Sequence, residues 1–278
     1  MKYYEFRTRR TSYFFPPEAE EHTFLYGLYT PFGGKTVRKL WDLFRSKSFV
    51  RRLMQRDESR LPFPYQEVKK AIGGDAVLAF NMGTPGPEQK ISILGIDKGS
   101  GKPFFAKFSQ KTGAKALTLN EIIVSKQLAG TGLMPELLDS RTTDDYVFMK
   151  TDYVEGTAPR IYALTEQLVD IALSISQHEH GEQDGLQVGL SHGDFCPWNM
   201  LEKDGELRLI DWEMAAVRPL GYDLFKFIYS CHEFFPDGRS MARVINDSAH
   251  CIGRYFEVFG VKNWSIYLRA FNKIRKQA

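Results

Sequence analysis

Short apolar runs separated by turn residues organise the stretch from residue 76 to residue 152. Ala76 to Phe80 and Lys90 to Ile96 flank the loop Asn81 to Gln89, and Pro103 to Ser109 follows the Gly99-Ser100-Gly101 turn, so three antiparallel strands are predicted. A helix around Leu119 to Leu128 comes next, followed by two further strand candidates, Glu136 to Ser140 and Tyr146 to Asp152. That order fits an α+β lobe in which the helix covers the second face of the sheet. Beyond the candidate hinge Val154-Glu155-Gly156-Thr157-Ala158-Pro159, the apolar period lengthens to that of helices. Leu164, Leu168, Ile171, Ala172 and Ile175 place one helix over Ile161 to Gln177, and three more are predicted at Tyr222 to Phe234, Met241 to Phe259 and Ser265 to Lys276. Upstream, residues 1 to 33 are aromatic and irregular, which suits strand and turn pieces. From Lys35 to Met54, Val37, Leu40, Trp41 and Phe44, then Val50, Leu53 and Met54, alternate with Arg38, Lys39, Arg45, Lys47, Arg51 and Arg52 as a basic amphipathic helix.

The chain therefore divides into a basic, aromatic-rich extension (1–75), a small β-sheet lobe with one helix (76–154) and a larger, mainly helical lobe (155–278). Its 278 residues exceed the usual single-domain size enough to suggest two lobes sharing one cleft. No run of about 18 apolar residues is present and MKYYEFRTRR lacks the apolar core of a secretion signal, so a cytoplasmic location is expected. Cys196, Cys231 and Cys251 are an odd, sparse set, consistent with a reducing compartment. The pairs Cys231-His232 and His250-Cys251 lack the spacing of a zinc site. His178 and His180 fall two apart on a predicted helix and point away from each other.

A net charge of +3 does not by itself imply nucleic acid, and none is expected as a partner. Residues 1 to 70, however, hold fifteen Lys and Arg against eight Asp and Glu. For residues 35 to 54 a solvated helix face is the structural reading, and attachment to an anionic membrane surface or substrate, at the inner membrane face, is the functional one.

The candidate chemistry lies in GLSHGDFCPWNMLEKDGELRLIDWE, residues 189 to 213. Asp194 and Asn199 are separated by four residues, and Asp211 closes an apolar strand seventeen residues after Asp194. Asn199 to Leu201 and Glu206 to Ile210 read as strands joined through Asp204-Gly205, a hairpin turn that brings Asp211 back beside Asn199. Magnesium prefers oxygen ligands, so Asn199 and Asp211 with nucleotide phosphates suit it. Asp194 then faces an acceptor hydroxyl as general base. Taken singly, a loop Asp or Asn more often caps a helix or closes a turn; it is the joint pattern that carries the signal.

His192-Gly193-Asp194 and Asn199, followed by Ile210-Asp211-Trp212-Glu213 and Gly221-Tyr222-Asp223-Leu224, closely resemble the aminoglycoside phosphotransferase and choline kinase-like family. The resemblance spans roughly residues 76 to 235 and is sharp over 191 to 224. It implies a two-lobed protein-kinase-like fold, with Asp194 the catalytic base, Asn199 and Asp211 the magnesium ligands, and His192 and Asp223 bracing the loop. Phe195 and Trp198 read as packing residues, with a stacked acceptor the alternative.

A kinase-like cleft also needs a strand lysine for the nucleotide phosphates and a helix glutamate to fix it. Lys107, amid Phe104-Phe105-Ala106-Lys107-Phe108, is the candidate, and Glu121 is its favoured partner. The competing account makes Thr118 and Glu121 a capping box. Gly83 and Thr84 open the loop where a phosphate cover belongs, although Pro85 and Pro87 remove two amide donors. Met149 to Val154 is the strand expected behind the adenine, with Asp152 and Val154 as candidate contacts.

The expected activity is transfer of the γ-phosphate of ATP, with magnesium, to a hydroxyl of a small molecule. Residues 214 to 278 hold ten Lys and Arg against five Asp and Glu, which favours a neutral or anionic acceptor, such as a sugar or a polysaccharide or cell-envelope precursor, over a polycationic antibiotic. The alternatives are a nucleotide-binding pseudokinase and an aminoglycoside-modifying kinase. A protein kinase is disfavoured because no Asp-Phe-Gly to Ala-Pro-Glu segment is present.

Overall fold

The computed structural model describes residues 2–8, 11–28 and 54–277. Contacts divide the chain into one unit of residues 1–129 and 135–154 and a second of residues 130–134 and 155–278.

The first unit contains β1 (Lys2–Arg7), β2 (Ser12–Phe15), β3 (Gln55–Asp57), α1 (Tyr65–Ile72), β4 (Ala76–Asn81), β5 (Ile91–Asp97), β6 (Pro103–Ser109), α2 (Thr112–Gln127), β7 (Leu137–Thr142) and β8 (Val147–Asp152). The strands form one antiparallel sheet in the order β3-β1-β2-β4-β5-β6-β8-β7. Successive strand residues point to opposite faces, and here both faces are covered. Tyr3, Phe14, Leu78 and Phe80 enter one core with Val68 and Ile72 of α1; their neighbours Tyr4, Phe15, Val77 and Ala79 enter another with Leu25 and Tyr26. Burial on both faces makes the strands read as apolar runs rather than strict alternations.

Four of the expected strands, in the regions 76–80, 90–96, 103–109 and 146–152, form close to their expected limits. The expected helix at Leu119 begins seven residues earlier, at Thr112. Its buried stripe includes Ala114, Thr118, Glu121 and Ser125, so half of it is polar and invisible to an apolar period. The described part of the first 75 residues is joined to this same sheet through β1, β2 and β3, and α1 lies on its face; neither was readable from local pattern.

The second unit contains α3 (Glu166–Ser176), β9 (His180–Gln183), β10 (Leu186–Ser191), β11 (Met200–Lys203), β12 (Glu206–Leu209), β13 (Ala216–Pro219), α4 (Tyr222–Phe234), α5 (Met241–Asp247), α6 (Ala249–Val258) and α7 (Ser265–Arg275). Val169 and Ala172 of α3, Leu224, Phe225 and Ile228 of α4, Ile252 and Phe256 of α6, and Tyr267 and Phe271 of α7 share one core. The helix expected from Ile161 starts only at Glu166, where Thr165 Oγ1 accepts the Leu168 N–H at 3.4 Å. The expected helix Met241 to Phe259 is broken at Ser248, which ends α5 and whose hydroxyl donates to the Val244 carbonyl at 2.9 Å.

His178 and His180 do not share a helix: α3 ends first, His180 lies on β9, and its ring stacks on Phe259 at 5.3 Å. The basic helix expected over 35–54 lies, up to residue 53, outside the described residues. No helix among the described residues is long and apolar enough to cross a membrane.

Gly95 of β5 pairs with Phe104 of β6, and a Cβ at position 95 would come within 2.3 Å of the Phe104 ring. Gly95→Ala is therefore expected to lower stability by about 1–3 kcal/mol through displacement of a fully buried ring. Gly253→Ala in α6, where nothing lies within 4 Å of an added Cβ, should hold or raise it. Chemical denaturation of both variants beside wild type checks the pair.

Candidate functional site

The loop from His192 to Asn199 leaves the end of β10 and runs along one face of α4. Asp223, Lys226, Ser230 and Phe234 lie three, four and four residues apart on that helix and so share a stripe. The Asp223 carboxylate accepts the His192 N–H at 2.8 Å and the Gly193 N–H at 3.0 Å. Lys226 Nζ lies 3.0 Å from Asp194 Oδ1, Ser230 Oγ lies 3.2 Å from Cys196 Sγ, and the Phe234 and Trp198 rings meet edge-on at 5.1 Å. Alternate loop residues 194, 196 and 198 thus face successive turns of the helix. Phe195, between them, is fully buried as a packing residue, with the Phe227 ring of the same helix at 6.2 Å.

Glycine is required at the start of this loop. Gly193 has φ +82°, and a Cβ there would lie 2.0 Å from the Met214 carbonyl oxygen. Burial pushes the Asp223 carboxyl up to about 6, even though two backbone N–H bonds and the nearby Arg218 charge favour its ionised form.

Two hydrogen bonds fix the tautomer of buried His192. The Ile210 carbonyl can only accept, so Nε2, 3.1 Å away, donates; the Asp194 N–H can only donate, so Nδ1, at 3.3 Å, accepts. His192 therefore ties the loop to the strand segment before Asp211 rather than serving as a base. The Ile210 N–H also donates to the Asn199 carbonyl at 3.0 Å. The β11–β12 hairpin turns at Asp204 and Gly205, both at positive φ as the expected tight turn requires. Asp211 itself is left-handed, at φ 66° and ψ 60°. Such a conformation disfavours a residue with a Cβ by roughly 1–2 kcal/mol and clusters at functional positions. Trp212, fully buried and 4.6 Å from the His192 ring, holds the far side of it.

Asn199 Nδ2 donates to Asp194 Oδ2 at 2.7 Å and to the Asp194 carbonyl at 2.9 Å. Both bonds use the amide nitrogen, so the amide oxygen is the atom Asn199 offers to a cation. One amide oxygen and the Asp211 carboxylate are the hard donors that magnesium favours, and the residue types fit that ion.

Lys226, Cys196 and Ser230 join this group without belonging to the motif His192-Gly193-Asp194 and Asn199. The available signal was helical phase: with Asp223 assigned as a brace, positions 226 and 230 fall on the same face of α4. Burial works against the Lys226 charge, but the Asp194 carboxylate outweighs it and raises its pKa above the usual lysine value. Burial, followed by the Asp194 charge, pushes the Cys196 thiol well above the ordinary thiol range, so it acts as a packed donor rather than a nucleophile.

In the first unit, Lys107 of β6 pairs with Glu121 of α2, both buried at 3% and 5% exposure. Thr118 and Glu121 lie in the body of α2, not at its N-terminus, so they form no capping box; Thr118 Oγ1 instead bonds Ser109 Oγ at 2.7 Å. Gly83, at φ +64°, donates its N–H to Asn81 Oδ1 at 2.8 Å, and Thr84 is exposed. Lys111 Nζ closes the loop by donating to the Gly86 carbonyl at 2.8 Å and Gln89 Oε1 at 2.9 Å. Asp152 Oδ1 accepts the Glu136 N–H at 2.6 Å, so this carboxylate already tethers the β7 side; Val154 follows it, half-buried.

Residues 163–245 match the family model of the phosphotransferase enzyme family (APH). No curated protein matches the chain. Similar solved structures include an aminoglycoside-3'-phosphotransferase of type VIII, at 16% identity over 60% of this chain and 82% of that one, with a TM-score of 0.45. The aminoglycoside phosphotransferase APH(3'')-Id from Streptomyces rimosus ATCC10970 has 14% identity over 65% and 87%, at 0.46. Amicoumacin kinase hAmiN, solved in complex with AMP-PNP, Ca2+ and Ami, has 11% identity over 60% and 70%, at 0.45.

The raised Asp223 pKa sets a pH dependence. Its folded value, about 6, lies above the ordinary carboxylate value, so the neutral acid's contribution is complete below about pH 4 and is lost as pH rises through about 6. The loss is about 3 kcal/mol. The stability difference between wild type and Asp223→Asn should therefore move against wild type by that order between pH 4 and 7, read from urea midpoints of the two proteins. A difference that stays flat over this range contradicts it.

Proposed function

We propose that this chain, which carries the pattern of the phosphotransferase enzyme family over residues 163–245, is a small-molecule kinase moving the γ-phosphate of ATP to an acceptor hydroxyl. The observation that carries the reading is the fixed group formed by Asp194, Asn199 and the strained Asp211, joined through His192 and the Ile210 backbone.

In this reading the two units form a protein-kinase-like fold, with 76–154 the nucleotide lobe, 155–278 the catalytic lobe and 1–75 an extension of the first. Asp194 orients the acceptor hydroxyl and takes its proton. The acceptor oxygen bonds to the γ-phosphorus as the bridging bond to the β-phosphate breaks, and ADP leaves with that electron pair. Asn199 Oδ1 and Asp211 would hold magnesium, which neutralises phosphate charge when bound. Lys107, fixed by Glu121, takes nucleotide phosphate oxygens; Gly83 and Thr84 cover them, and the backbone at Asp152 and Val154 meets the adenine edge.

A hydroxyl compound without positive charge, such as a sugar or an envelope precursor, is the acceptor favoured by the basic composition of residues 214–278. The family match fits an aminoglycoside acceptor equally well, which makes aminoglycosides the necessary comparison in any screen.

ATP consumption with magnesium, followed by phosphorus NMR of the products, tests the assignment across sugars and aminoglycosides. Asp194→Ala is expected to lower kcat by roughly 10²- to 10⁴-fold. Lys107→Ala should chiefly raise the KM for ATP. Full activity in Asp194→Ala would falsify the assigned base, and magnesium-ATP binding without turnover in both proteins would identify a pseudokinase.

A further inference from the structure

Asp194 is already held from within its own loop. Asn199 Nδ2 donates to its Oδ2 and to its carbonyl oxygen, and Cys196 Sγ lies 3.3 Å from Oδ1. A lysine would be a costly additional restraint, since an ordered ammonium on a four-carbon stem loses both hydration and rotamer freedom. Lys226 Nζ nevertheless stands 3.0 Å from Asp194 Oδ1. The two side chains are 31% and 30% exposed, so the pair opens to solvent instead of sealing a core. Among the described residues Asp194 is the ion-pair partner of Lys226, and an ammonium has three donors, so Lys226 can take a further acceptor.

The position of that spare capacity decides what it recognises. A hydroxyl that donates to the Asp194 carboxylate brings the atoms one or two bonds beyond its oxygen up to the Lys226 ammonium. A carboxylate or phosphate there gains a charge-assisted hydrogen bond, and an ammonium there meets like charge. We propose that Lys226 determines acceptor specificity, and that the acceptor is a hydroxy compound bearing an anionic group, carboxylate or phosphate, next to the phosphorylated hydroxyl. This rests on the kinase reading above and names the acceptor class within it. The excess of ten Lys and Arg over five Asp and Glu in residues 214–278 acts in the same direction at longer range.

During transfer the acceptor proton passes to Asp194, the new oxygen–phosphorus bond forms and ADP departs. Lys226 keeps its protons and holds the acceptor's anion before and during the step. Its contribution is therefore uniform binding, which appears in KM more than in kcat.

The test compares wild type, Lys226→Arg and Lys226→Met with magnesium-ATP and matched acceptor sets, in which each sugar or polyol is offered as its carboxylate, its phosphate, its neutral parent and its amine. Wild type should show the lowest KM for an acid, and the better of the two acids tells carboxylate from phosphate. Lys226→Met should lose that preference by about tenfold or more, through KM, while Lys226→Arg retains most of it. Thermal melts establish that the variants fold; should Lys226→Met fail, Lys226→Gln makes the same comparison. No turnover of any acid by wild type, or an unchanged acceptor ranking in the methionine or glutamine variant, overturns the proposal. Calorimetric binding of magnesium-ATP separates the two levels: a wild type that binds it and phosphorylates amines or neutral sugars preferentially refutes the acceptor class alone, whereas one that does not bind it removes the kinase reading as well.

Discussion

Two backbone N–H groups, those of His192 and Gly193, end on one buried carboxylate at the first turn of α4, and this contact sets the phase of everything beside it. A helix is rigid over three turns, so once Asp223 is placed, the directions of Lys226, Ser230 and Phe234 are determined. The loop meets them with Asp194, Cys196 and Trp198 turned toward the helix at matching intervals. One anchored end thereby positions a stripe running the length of α4. Desolvation of Asp223, visible in its raised pKa, is the stability cost of that anchor. Gly193 is its steric companion, since any side chain there would drive the Met214 carbonyl away.

A second constraint operates at the other end of the candidate site. The β11–β12 hairpin returns the chain so that Ile210 bonds to Asn199, while His192 bonds to Ile210 and receives the Asp194 N–H. Asp194, Asn199 and the approach to Asp211 are thus linked through one neutral imidazole and one backbone bond. The left-handed geometry of Asp211 persists because its neighbours on both sides are held: Ile210 by these bonds, and Trp212 by burial against the same imidazole. Lys107 and Glu121 are a different kind of arrangement. They satisfy each other's charge inside the first unit, which lets a lysine stand among the phenylalanines of β6.

The family pattern, the spacing of Asp194, Asn199 and Asp211, and the hairpin at Asp204-Gly205 were all legible from residue order. So were α4 and the central strands of the first unit, where burial of apolar runs leaves a local signal. The start of α2 was not, because Thr118 and Glu121 bury polar atoms on partners elsewhere in the unit, and these two and the buried Ser125 break the apolar period. The addition of β1, β2 and β3 to the sheet was equally hidden, since strand pairing between distant segments leaves no local mark.

Sequence alone determined the chemistry available: which carboxylates, amides and cations exist, and how far apart the chain holds them. It did so because loop and hairpin spacing act through covalent geometry and short-range turns. Tertiary structure decided which of those groups meet. Lys226 lies 32 residues from Asp194, and nothing local to either announces that they pair at 3.0 Å. Their meeting depends on the rotational setting of a whole helix, fixed by one buried aspartate, and such a setting is a property of packing rather than of any local stretch of residues.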